Sequence, residues 1–229
     1  EALVRTEAQR IAEQVGAFLS RREQSLLDKL VALGALHWGE TYEVQVKARV
    51  PDEAALLDAF KRCPEVMIIK PSERKQYDTY FIFGDEGGQV RYREDYVLDR
   101  GLEVRPLYSL TLRVPTSERE YDDSVILSRS RFTAEADRSL RFYREYFQPQ
   151  EEKRVDKIRR RWRIKYKGVE FALNLDRLTQ PASDNLYLEL KARTWSKQDA
   201  VQKAEMISEL LDVLGVDKAG LVRDEYVFF

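Results

Sequence analysis

The apolar positions of this chain follow two periods, and the change of period divides it. From Val4 to Leu33 they recur every three or four residues: Val4, Ala8, Ile11, Val15, Phe18, Leu19, Leu26, Leu27, Leu30 and Leu33. That spacing is the stripe of an amphipathic helix. No proline interrupts residues 2–35, and Gly34 is placed to stop the helix. At 1.5 Å per residue it spans about 50 Å, longer than a small barrel is wide. Two readings stay open: a helix packed along its own domain, or a coiled-coil arm or connector that meets something else. Residues 1–38 are read as this helical unit and 39–229 as the folded domain.

From Tyr42 the period becomes two. Tyr42–Val50 places apolar residues at even positions, with Glu43, Gln45, Lys47 and Arg49 between them. Such alternation marks a strand with one dry and one wet face. Seven further segments read as strands: Asp78–Phe83, Gln89–Leu98, Leu107–Val114, Val125–Phe132, Lys157–Tyr166, Val169–Leu178 and Leu186–Arg193. Gly-rich or polar breaks such as Lys167-Gly168 separate several of them. Pro51-Asp52-Glu53 opens a short helix to about Arg62, and a second helix is predicted over Thr133–Phe147. The C-terminal helix starts at a capping box of Ser196 and Asp199, carries Val201, Ala204, Ile207, Leu210, Leu211 and Leu214 as its buried stripe, and stops at Gly215. Eight mostly antiparallel strands with few helices predict an α+β fold: an eight-stranded antiparallel β-barrel with flanking helices.

Charge changes what kind of barrel this is. The 229 residues hold 39 Lys+Arg against 40 Asp+Glu, a formal net charge of -1. That balance hides a segregation. Lys157, Arg159, Arg161, Arg163 and Lys165 share one strand face, and Arg91 with Arg93, Thr111 with Arg113, and Arg129 with Arg131 pair the same way. Glu170, Asn174 and Asp176 share a face of the next strand, and Tyr187, Glu189 and Lys191 a face of the last. Strand by strand, these read as the solvated outside. Taken together they conflict with the helices, whose apolar stripes also need a surface to dock on. If the apolar faces point outward under the helices, the charged faces line the lumen. Cations crowded there call for water, acids and a polyanion to compensate them. Arg forks match phosphate oxygens, and Lys acts as a point charge.

Other features narrow the class. No run of about 18 apolar residues exists, so no helical membrane span is expected. One cysteine (Cys63) and one histidine (His37) exclude a disulfide framework and a His-based metal cluster. No secretory pattern is visible, and a cytoplasmic location is expected. Cys63, just before Pro64, reads as structural, and His37 and Trp38 as packing at the barrel end. The Arg159-Arg160-Arg161 run sends Arg160 to the opposite face, which argues against a nucleic-acid patch. Arg193-Thr194-Trp195-Ser196 reads as the turn and cap into the last helix.

The order of these motifs resembles the CYTH domain of the triphosphate tunnel metalloenzyme superfamily, over residues 42–229. Glu43-Val44-Gln45-Val46-Lys47 stands where the family has E-x-E-x-K, followed by Asp78-Thr79-Tyr80-Phe81, Arg91-Tyr92-Arg93 and Leu110-Thr111-Leu112-Arg113. Lys157-Ile158-Arg159, Leu175-Asp176-Arg177 and Glu189-Leu190-Lys191 follow in order, and Leu214-Gly215 and Tyr226 close the pattern. The resemblance implies a tunnel that binds triphosphates through basic residues, here Lys47, Arg91, Arg93, Arg113, Arg129, Arg131, Lys157, Arg159, Arg161 and Lys191. It implies Mg²⁺ or Mn²⁺ on Glu43, Glu189 and Asp176, with Lys47, Glu43 and Glu189 in catalysis. The chain departs from the pattern at Gln45 and Lys191, each in place of a glutamate, and at Arg129-Ser130-Arg131, which lacks a carboxylate. Two functions therefore stay open. One is a metal-dependent triphosphatase-type phosphohydrolase. The other is a non-catalytic module that senses polyphosphate or a nucleotide and regulates a partner. The expected partners are a triphosphate, polyphosphate or nucleotide ligand, and a second copy or a fused kinase-like domain through the N-terminal helix. No membrane and no nucleic acid are expected.

Overall fold

The structure is a computed structural model that describes residues 21–84, 88–99, 102–104, 106–113, 118–121 and 123–229. Helix α1 (Arg21–Ala32) leads into β1 (Leu36–Val50), α2 (Glu53–Arg62), β2 (Val66–Ile82), β3 (Gln89–Asp99), β4 (Leu102–Glu103), β5 (Leu107–Arg113), β6 (Glu118–Tyr121) and β7 (Ser124–Glu135). Then follow α3 (Leu140–Phe147), β8 (Glu151–Tyr166), β9 (Val169–Gln180), β10 (Ala182–Thr194) and α4 (Lys197–Val213). The strands pair antiparallel in the order β1-β10-β9-β8-β2-β3-β5-β7, and β1 pairs with β7 in turn. That last ladder closes the ring, so all eight expected strands form one barrel. Short β4 and β6 hang on β3 and β7.

Local chemistry sets the boundaries. Gly34, at φ +85, ends α1 as expected. Asp52 caps α2 by accepting from the amides of Ala54 and Ala55. Ser196 caps α4 by accepting from the Asp199 amide, and Gly215 turns the chain away at φ +66. Lys167 and Gly168, both at positive φ, make the two-residue β8–β9 turn. Some expected boundaries are corrected. The strands expected over Asp78–Phe83 and Lys157–Tyr166 start earlier, at Val66 and Glu151, because the two segments pair with each other along their whole length. The helix predicted over Thr133–Phe147 covers only Leu140–Phe147, because Thr133–Glu135 stay paired with β5 at the end of β7. The β-branched threonine and the free edge of β5 favour the ladder there.

The barrel is apolar outside and ionic inside. Even positions of β1 (Val44, Val46, Ala48, Val50) point outward and are buried with Leu173, Leu188 and Leu190 against Ala204, Ile207, Leu210 and Leu211 of α4 and Leu56 and Phe60 of α2. On the opposite flank Phe81, Val90, Leu110, Leu112 and Phe132 are covered by Leu26, Leu27 and Leu30 of α1 and by Tyr143 and Phe147 of α3. The two helices are tied reciprocally: Lys29 donates to the Tyr146 carbonyl at 2.9 Å, and the Tyr146 hydroxyl donates to the Lys29 carbonyl at 3.2 Å. Over Arg21–Ala32, then, the N-terminal stripe packs on its own barrel. The arm or connector was expected over residues 1–38, and of these residues 1–20 lie outside the described residues. No described helix is long and apolar enough to cross a membrane.

Candidate functional site

The inward faces of the strands meet in a cavity of about 500 Å³. Among the described residues, Lys47, Arg91, Arg93, Lys157, Arg159, Arg161, Arg163, Lys191 and Arg193 line it, against Glu43, Glu170, Glu189 and Glu225. Asp78 and Asp176 lie buried beneath this lining. Among the described residues nine cations thus face six carboxylates, an excess of positive charge.

The strand registers decide how those charges meet. Residues directly opposite across an antiparallel ladder lie close enough to pair. Glu43 stands opposite Arg193, which donates to its Oε2 at 3.0 Å. Arg159 stands opposite Asp176 and donates through a bidentate fork at 2.6 Å on both arms. Arg93 stands opposite Asp78 and grips it the same way, at 2.5 and 2.6 Å, while Lys157 reaches the same carboxylate at 3.0 Å. Asn174 stands opposite Glu189 and donates to its Oε1 at 2.9 Å. Glu189 also takes Lys191 at 3.0 Å and Arg159 at 3.3 Å. Arg161 in turn donates to the Asn174 side-chain oxygen at 2.7 Å.

This mesh tunes ionisation. Burial opposes charge on Glu189, but Lys191, Arg159 and Lys47 outweigh it and hold the carboxyl well below its usual range. Asp78 is held low in the same way, burial being overcome by Arg93 and Lys157. The cations feel the opposite push. Burial, joined by Arg93 and Arg159, brings Lys157 down to about 8 despite Asp78. Burial with Arg159 and Arg74 brings Arg161 down to about 10, and burial lowers Lys191 as well. An anion entering the lumen relieves this strain on the bases.

One end of the lumen is filled. Tyr80, Val155, Leu178 and Tyr187 pack there with Tyr226 and Val227 of the C-terminal segment. That segment runs along β1: the Val222 amide donates to the Lys47 carbonyl at 2.9 Å, and the Lys47 ammonium donates to the Asp224 carbonyl at 3.0 Å. Lys47 and Lys157 then stand 5.0 and 5.7 Å from the centre of the Tyr226 ring, a cationic floor over an aromatic plug. The lumen opens at the other end, where a second cavity of about 760 Å³ shares Glu43, Arg91, Arg93, Thr111 and Arg193 with the first.

Of the residues expected to carry function, Glu43, Lys47, Arg91, Arg93, Lys157, Arg159, Arg161, Glu189 and Lys191 line one cavity, and Asp176 lies beneath it on Arg159. For Arg113, Arg129 and Arg131 only the backbone is described: Arg113 pairs with Arg131, and Arg129 with Thr41. Arg163 lines the lumen with the rest of its strand face, as its alternation implied; sequence reasoning missed Arg193, which continues its strand's alternation one step beyond Lys191. It also missed Asp78 as the acid that holds Arg93 and Lys157, and Glu225, which lines the cavity 3.8 Å from Lys47. No local period signals Glu225.

The expected Mg²⁺ or Mn²⁺ site does not fit these residues. Hard cations need several anionic oxygens converging on one point. Here Asp176 is gripped by Arg159, Glu43 by Arg193, and both oxygens of Glu189 carry donors. Among the described residues no group of three His, Cys, Asp or Glu side chains gathers to hold a metal. The two departures from the family pattern explain why. Gln45 and Lys191 stand directly opposite each other in the β1–β10 ladder. Two glutamates there would face each other and need a cation between them, whereas an amide opposite an ammonium needs none.

Comparisons with known proteins reach the same fold. No protein-family model matches the chain, and no curated protein matches it. Solved structures do. The PH1819 protein of Pyrococcus horikoshii OT3 is 17% identical, with 80% of this chain and 95% of that chain covered at a TM-score of 0.58. A Vibrio parahaemolyticus protein described as a candidate adenylate cyclase is 13% identical, with 81% and 95% covered and a TM-score of 0.52. A chain of the Schizosaccharomyces pombe Mediator head module is 12% identical, with 77% and 96% covered and a TM-score of 0.51. So varied a company means that function must be argued from the site. The likeness is one of architecture: this chain has the CYTH-type triphosphate-tunnel fold that its motifs resemble.

Proposed function

We propose that the barrel binds a chain of linked phosphates, a triphosphate or longer, in its lumen without a resident divalent metal. The observation that carries this is the nine-cation lining of a cavity closed at one end by Tyr226 and open at the other. Linked phosphates match it in shape and charge. Each bridging unit offers oxygens to guanidinium forks spaced along the strands, and the ligand's charge offsets the net positive lumen. Lys191, beside Glu189 and opposite Gln45, supplies internally the positive charge that a metal would bring. This supports the binding-module reading. A second reading, turnover of the bound chain, is favoured by Lys157. A buried ammonium held near 8 gives and takes protons close to neutral pH.

The test is calorimetric titration of the chain with sodium tripolyphosphate in EDTA and again in Mg²⁺, with phosphate release followed in the same samples. Binding in EDTA is the expected result, and Lys191→Glu is expected to make binding require Mg²⁺. A wild-type chain that binds tripolyphosphate only with Mg²⁺ overturns the metal-free reading. Phosphate release at a steady rate establishes turnover.

A further inference from the structure

At the open end of the barrel one stretch of sheet edge is left unpaired. β2 begins well before β3 meets it: Val66–Ser72 pair with β8 on one side, while the β2–β3 ladder starts only at Glu73. Among the described residues no strand takes the other side of Val66–Ser72. Met67, Ile68 and Ile69 on this stretch are 58%, 45% and 43% exposed, and among the described residues no other run of three large apolar side chains stands in solvent. A free strand edge beside apolar side chains is a template for a further strand. The edge is also held in place, because the Val66 amide donates to the Cys63 carbonyl at 3.2 Å and fixes the turn out of α2. Little freedom is lost when a strand is added to it.

The sequence of this edge says which strand fits it. It runs Pro64-Glu65-Val66-Met67-Ile68-Ile69-Lys70-Pro71. The β2–β8 register slips between Ile68 and Lys70, so Ile69 is a bulge and drops out of the pairing count. What remains has the same chemistry read outward in both directions from Met67. An apolar neighbour comes first (Val66, Ile68), then a charge of either sign (Glu65, Lys70), then a proline (Pro64, Pro71). Two copies laid antiparallel with Met67 on the two-fold axis set Met67 against Met67, Val66 against Ile68, and Glu65 against Lys70 at both ends. The bulge makes this register possible. Strands related by a two-fold axis must pair residues of the same phase, and without the extra residue Glu65 and Lys70 would point to opposite faces. The prolines bring no N–H and end the ladder on both sides.

We propose that this edge is a homodimer interface: two copies of the chain join their β2 strands, antiparallel and in this register, at the open ends of their barrels. The occupant is a second copy because apolar centre, opposite charges and terminating prolines all answer one another in the self-pairing. Such a contact is isologous and closes on itself, so it gives a dimer and not a fibre. Cross-strand pairs of this kind each add a modest amount, and here the two ion pairs also set the register. The inference does not depend on what the lumen binds.

The experiment is analytical ultracentrifugation of the full chain over a range of concentrations. A ladder this short buries less than the roughly 1,200 Å² of a standard interface, so the association is expected to be micromolar, and about 5 to 200 µM brackets it. The wild type is expected to pass from monomer to dimer across that range. Met67→Lys sets two ammonium groups face to face on the axis, at an exposed position, and is expected to stay monomeric with an unchanged circular dichroism spectrum. Glu65→Lys and Lys70→Glu are each expected to weaken the dimer about tenfold, by placing like charges opposite one another. The double reversal Glu65→Lys with Lys70→Glu is expected to recover wild-type association to within about threefold, since it restores opposite charges. A wild type that stays monomeric throughout overturns the proposal. A dimer that survives Met67→Lys is held by another surface and overturns it too, and a double reversal no better than the single ones overturns the register.

Discussion

The two faces of the barrel wall are made from the same strands and obey opposite rules. On the outer face Phe81, Leu110, Leu173 and Leu188 are fully buried under helices, each contact apolar and complete within the chain. On the inner face Asp78, Lys157, Arg159 and Asp176 are nearly as deeply buried, yet the charges there do not balance. The outer face stores stability, because apolar burial needs no partner from outside. The inner face stores unspent electrostatic potential, because desolvated cations in excess remain costly until an anion arrives. One face is finished by folding, and on the proposed function the other is finished by binding.

The sharpest test of that contrast is the largest. Phe81→Ala is expected to lower stability by about 4 kcal/mol, through lost transfer energy and the cavity left behind. Chemical denaturation measures it, and tripolyphosphate should not single out this variant for rescue. Asp78→Asn is expected to lower stability by about 3 kcal/mol, since Arg93 and Lys157 lose the buried acid between them. Here tripolyphosphate should restore more of the midpoint shift than it adds to the wild type, because the ligand supplies the missing negative charge. Equal rescue of both variants would dissolve the distinction between the faces.

A smaller effect comes from pH. Lys157 is charged below about 8 and neutral above it. Affinity for tripolyphosphate is therefore expected to fall about tenfold as pH rises through that value, one charge-assisted contact being lost. Folding stability moves the other way. In the unfolded chain a lysine titrates near about 10.4. Between the two values the native state binds fewer protons than the unfolded state, so this group's contribution rises with pH. Titrations at pH 7 and 9 on the wild type and Lys157→Arg check both. The arginine variant should hold its affinity across the range, and a wild-type affinity flat from 7 to 9 would remove Lys157 from the account.

Much of the site is legible in the chain because strand alternation is local. Arg91 and Arg93, or Lys157, Arg159 and Arg161, need only a period of two to share a face, and eight such segments suffice to suggest a barrel. The helix boundary at 133–139 was less legible, because a strand end and a helix start compete there and the neighbour β5 decides. Arg193 was legible in principle, one step beyond Lys191, but its place in a turn motif hid it.

What the sequence by itself determined is which side chains can face one another: the two-faced strands, the capped helices and the cationic set, all written in spacings of a few residues. Only the tertiary structure decided which of them do. Glu43 and Arg193 lie 150 residues apart and become an ion pair through the β1–β10 register. The same register sets Gln45 against Lys191, an amide against an ammonium where the resembled family has two glutamates. Tyr226 belongs to neither period, and the packing of the C-terminal segment along β1 brings it to the lumen. The physical reason is one of range: side-chain direction follows from the backbone within a strand, while pairing depends on ladders between segments far apart in the chain.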